Sequence, residues 1–149
     1  MTSDSAYLIA WASLWTLLIA VSAFAYARGS MPERLGAAVI VTVAVVSVIG
    51  DFLLSERGLL IARLLTEGLA AVGFLLIAVR YTSLWLGGAM IFQAVQFSLQ
   101  AYYFVTHRAH DATYVVINNI DFFGILACLT AGTLASSRRR RAFAAQAAE

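Results

Sequence analysis

Lysine is absent from this chain: the ten basic residues are all arginine. That absence excludes a Schiff-base site for retinal or pyridoxal and any catalytic lysine. A single cysteine, Cys128, excludes an internal disulfide, and its place in an apolar run marks it as a small buried hydrophobe. With one proline and no long polar stretch, the chain has no room for a linker between two domains. Charged residues make up only 12% of the sequence, where a soluble domain has about a quarter. No nucleophile elbow, phosphate-binding glycine loop, cysteine pair or zinc-protease motif is present. The sequence therefore assigns no catalytic residue, no metal ligand and no cofactor, and the expectation is a non-enzymatic protein.

What is there is apolar. Hydrophobic residues reach 62% and the mean hydropathy is +0.85. Five hydrophobic segments lie at 7–27, 35–54, 59–79, 84–106 and 112–135. Each is about 20 to 24 residues, and roughly 20 are needed to cross a bilayer as a helix. The connections are short, and Ser30 with Glu33 in the first of them offers a capping box. Short links place successive helices antiparallel and side by side. The expected fold is all-α, an up-and-down bundle of five transmembrane helices, with 138–149 as a basic cytoplasmic tail.

Orientation follows from the arginines. With the N-terminus outside, Arg28, Arg34, Arg80 and Arg138 to Arg141 fall on the cytoplasmic side, and only Arg57 and Arg108 on the outer side. The expected topology is N-out and C-in, in a bacterial inner membrane. Ala23-Phe24-Ala25 imitates a signal-peptide cleavage site, but residues 1–6 carry no Lys or Arg, so the first segment is expected to be retained. The net charge of +2 is no nucleic-acid signature, because four arginines form one run that fixes topology.

Polar residues interrupt the segments at one depth. Asp51 lies near the outer end of the second segment; Arg63 and Glu67 fall ~6 and ~12 Å below the outer end of the third. Gln93, Gln96, Gln100, Tyr103 and His107 recur at spacings of three and four, which draws one stripe up a helix face. Tyr114, Asn118 and Asp121 repeat the pattern, with Asp121 ~13 Å deep. The expected pairing is Arg63 with Glu67 at i,i+4. Asp51 then reaches water or Arg57, and Asp121 is left without a counter-ion. The inner half shows nothing comparable.

Two readings of this cluster compete. Amide side chains glue membrane helices together at about 1 kcal/mol each; alternatively, the cluster lines a water-accessible pocket or proton path. His107, His110 and Asp111 offer metal-type ligands, but nothing completes a closed site. Gly124, Cys128 and Gly132 put small residues on one face of the fifth segment, for close packing within the chain or between subunits. The favoured functional expectation is an accessory or partner-binding subunit of a membrane complex, or a homo-oligomer. The alternative is a small transporter or proton/cation-linked binding protein.

Overall fold

A computed structural model describes residues 3–108 and 111–146, apart from the side chains of 3–7, 10, 56 and 57. It holds five helices: α1 (Ser3–Arg28), α2 (Met31–Leu53), α3 (Glu56–Arg80), α4 (Leu84–Thr106) and α5 (Ala112–Gln146). Among the described residues there is no strand. The expected bounds of α4 match, whereas α1, α2 and α3 begin earlier. For α2 the reason is local: Ser30 occupies the N-cap and Pro32 falls in the first turn, where its missing N–H costs nothing. The Glu33 carboxylate turns back to accept the Ser30 backbone N–H at 2.8 Å and its hydroxyl.

The fifth helix differs most from expectation. It runs 35 residues, roughly 50 Å, straight through the arginine run. The segment 138–146 is therefore helix rather than an irregular tail. No Gly or Pro follows Gly132, and Ala, Arg and Gln are strong helix formers. Arg140 donates to the carbonyl oxygens of Arg28 and Gly29, which are left open at the C-terminus of α1. The arginine run thus ties two helix ends together.

Consecutive helices pack side by side, and α1 closes the arrangement by packing against both α2 and α5. The turns give the bundle a basic end, with the α1–α2 and α3–α4 connections and the C-terminal part of α5, and a far end, with the α2–α3 and α4–α5 connections. Aliphatic and aromatic side chains from all five helices, among them Leu18, Ile40, Phe74, Leu86 and Leu129, form one core towards the basic end. Trp85 of α4 is clasped there between Gly36 of α2 and Gly132 of α5, and a Cβ on either glycine would collide with the indole. Gly124 meets Phe92, and Gly88 meets Cys128, in the same way. The small-residue face of α5 is therefore used inside the chain, against α4.

The distribution of polarity is the reverse of a soluble protein's. Leu84 is 95% exposed and Phe52 85%, while Glu67 is 7% exposed and Asp121 3%. Four helices are long and apolar enough to cross a membrane: α1, α2, α3 and α5. In α4 the three glutamines lower the hydropathy, yet all three point inward, and its outward residues Ile91, Val95 and Val105 are exposed and apolar. The molecule is a helical bundle suited to hydrocarbon as its solvent.

Candidate functional site

Above the core, towards the far end, α2, α3, α4 and α5 part around a cavity of about 250 Å³. Its floor is apolar: Val39 and Ile40 from α2, Ala70 and Phe74 from α3, Phe122 and Ile125 from α5. Its upper wall is polar, with Arg63 and Glu67 from α3, Gln93, Gln96 and Gln100 from α4, and Tyr114 and Asn118 from α5. The helical repeat explains the convergence. Residues three and four apart share a face, and short connections turn the faces of α3, α4 and α5 towards one another.

Glu67 is the centre of the polar wall. One carboxylate oxygen accepts Gln93 Nε2 at 2.7 Å, and the other accepts Gln96 Nε2 at 3.2 Å. Gln93 also reaches the Glu67 backbone carbonyl at 3.2 Å, which fixes α4 against α3. Gln96 extends the chain of contacts to Asn118 Oδ1 on α5, also at 3.2 Å. Higher up, Gln100 Nε2 donates to the Tyr114 hydroxyl at 2.7 Å, and the Arg63 guanidinium lies beside that hydroxyl.

The expected Arg63–Glu67 pair is replaced by another. Arg63 Nη2 binds Asp51 Oδ1 of α2 at 2.8 Å, across the mouth of the cavity. The i,i+4 spacing made Glu67 reachable, but Asp51 sits nearer solvent, where a long guanidinium keeps its charge more cheaply hydrated. The cavity's cation is thus neutralised from outside, and among the described residues the hydrogen bonds to the Glu67 carboxylate come from glutamine amides.

His107 leaves the stripe. Helix α4 ends at Thr106, and His107 takes a left-handed conformation (φ 52°, ψ 28°) that leaves it exposed, away from the cavity. His110 lies outside the described residues. Among those described, no cluster of metal-type ligands forms. Asp111 instead caps α5: its Oδ1 accepts the Tyr114 backbone N–H at 3.0 Å and the Tyr103 hydroxyl at 2.6 Å. Those donors, the tyrosine hydroxyl foremost, hold the Asp111 carboxyl below the ordinary carboxylate range.

Asp121 is buried one helical turn below Asn118, and its Oδ2 has no hydrogen-bond partner among the described residues. It does not line the cavity wall. At the basic end there is a buried acid that the sequence pattern does not expose. Glu33, 2% exposed, accepts Trp85 Nε1 at 2.9 Å across 52 positions of chain, besides closing the Ser30 cap. The half of the bundle at the basic end, expected to show nothing comparable, therefore does hold a polar centre. A capping box beside a turn reads as solvent-exposed, and only the partner tryptophan reveals the burial.

The site is thus a half-polar, half-apolar cavity around an amide-held carboxylate, built by four helices and guarded by an ion pair. No family model, no curated protein and no solved structure matches this chain.

Proposed function

We propose that the chain crosses the membrane five times, N-out and C-in, as a small binding protein or transporter for an organic cation. Binding is linked to proton uptake, and the cavity opens in the outer half of a bacterial inner membrane. The observation that carries this reading is the charge balance at the cavity. Arg63 is engaged by Asp51, and among the described residues no cation forms an ion pair with Glu67. A carboxylate at this depth is neutralised by a proton or by a bound cation, and competition between the two links binding to pH. The floor favours an organic cation over a bare ion. Phe74, Phe122, Ile40 and Ile125 offer apolar contact below the carboxylate, and aromatic faces attract ammonium groups. The inward placement of the α4 glutamines supports a fifth span despite their polarity.

Thermal unfolding of the purified protein in detergent tests the charge preference. Tetraethylammonium should raise the melting temperature saturably, and less so as the pH falls. Benzoate, an anion of similar bulk, should not. An equal response to both probes would overturn the reading.

A second reading, an accessory subunit or homo-oligomer, rests on a different surface. A shallow groove between α2 and α3, walled by Leu35, Val39, Val46, Leu69 and Leu76, is almost wholly apolar and beds against Gly73. Such a groove suits the helix of a membrane partner. Gentle solubilisation and sizing of the tagged protein distinguish a lone chain from a stable complex.

A further inference from the structure

At the basic end a second cavity, about 750 Å³, opens between the α3–α4 connection and the C-terminal half of α5. Its chemistry changes along its length. Arg80 and Arg139 both line it, exposed and without an ion-pair partner among the described residues, together with Ser83. Next to them the lining is apolar: Ala131 and Ala135 lead up to Arg139 in one row of α5, and with Leu84 they form a slot open to the bundle surface. Glu33 also borders the space, but its carboxylate is occupied by donors from Ser30 and Trp85.

We infer that this cleft is a binding site for an anionic phospholipid, its phosphate between Arg80 and Arg139 and an acyl chain in the slot along Leu84 and Ala131. Guanidinium groups suit phosphate oxygens because their planar donors match two acceptors at once. Basic pockets between membrane helices on the cytoplasmic side are where such headgroups are held. A soluble phosphate ester could satisfy the arginines alone. The slot decides for a lipid, because an apolar wall continuous with a cationic one matches a molecule that has both parts. The site is separate from the outer cavity, and its occupancy does not depend on the proposed cation binding.

Native mass spectrometry of the intact protein, titrated with phosphatidylglycerol or phosphatidylcholine, tests this. Phosphatidylglycerol should bind at one preferred site, and the double change Arg80→Gln and Arg139→Gln should weaken that binding at least tenfold. The double change Arg138→Gln and Arg141→Gln removes the same charge from the same region and should leave it within twofold. Ala131→Phe, which keeps both arginines and fills the slot, should also lower binding. Fluorescence gives an independent readout in vesicles. With Trp11 and Trp15 changed to Phe, acyl-brominated phosphatidylglycerol should quench Trp85 more than brominated phosphatidylcholine. Equal losses in the two arginine pairs, or glycerol phosphate competing as well as the lipid, would overturn the assignment. If the Arg80/Arg139 variant does not fold, equal quenching of Trp85 by both brominated lipids overturns it instead.

Discussion

Three substitutions at Glu67 separate the amide network from simple burial. In Glu67→Gln the side chain keeps its size and one acceptor oxygen. Its new NH2 faces a glutamine amide, but Gln96 and Asn118 can both rotate by half a turn and exchange donor for acceptor, which keeps their mutual contact while Gln93 stays a donor. The two contacts at 2.7 and 3.2 Å then become neutral hydrogen bonds. Charge-assisted bonds are about twice as strong as neutral ones, and the relief of burying a charge offsets part of the difference. The expected loss is about 1 kcal/mol or less. In Glu67→Ala the amides of Gln93 and Gln96 each lose one of two acceptors, keeping the backbone carbonyl of residue 67 and Asn118 respectively, at about 1 to 3 kcal/mol for each N–H left dry. The cavity has room for several waters, at about 30 Å³ each, so the loss should settle near 2 kcal/mol. Glu67→Leu refills the volume and denies water the place, so its loss should approach about 4 kcal/mol. Reversible unfolding in bicelles, followed by tryptophan fluorescence, gives the order. A leucine variant as stable as the glutamine variant would refute the network.

Other consequences are separate. Arg63→Gln and Asp51→Asn should each destabilise, with a coupling of about 0.5 to 1 kcal/mol because the pair is partly exposed; a double-mutant cycle between Arg63 and Glu67 should give the smaller coupling. Gly132→Ala forces a methyl group onto Trp85 and should cost about 1 to 3 kcal/mol. Gly87→Ala, with nothing within 4 Å, should stabilise by about 0.5 to 1 kcal/mol, and thermal melts of both variants check the contrast. Because the Asp111 carboxyl sits below its unfolded value near 3.9, its stabilising effect is complete above that pH and is lost as the pH falls through the folded value. Melting curves from pH 6 to 3 should therefore decline less steeply for Asp111→Asn than for the parent protein. A cytoplasm-active reporter should function when fused after Glu149 and fail when fused after His110.

The helices were legible because hydropathy alone outlines segments of spanning length, and short links then dictate antiparallel neighbours. The stripe of Gln93, Gln96 and Gln100 was legible for the same reason: a helical period projects onto one face whatever lies opposite. Partners were less legible. The spacing that favoured Arg63 with Glu67 describes a lone helix, whereas Asp51 reaches Arg63 from another helix, a contact that depends on how α2 and α3 are set against each other. His107 fits the stripe by number, yet the helix stops one residue earlier. The burial of Glu33 by Trp85, and the capping of α1 by Arg140, join positions 52 and 112 residues apart. No periodicity within one segment encodes them.

In the proposed function Glu67 is the counter-ion of a cation bound in the outer cavity. Equilibrium dialysis of radiolabelled tetraethylammonium against the purified protein and its Glu67→Gln variant tests it most directly, because the amide network lets that variant fold. The parent protein should show one saturable site and the variant a site at least tenfold weaker, about 1.4 kcal/mol. Equal affinity in the two proteins would contradict it.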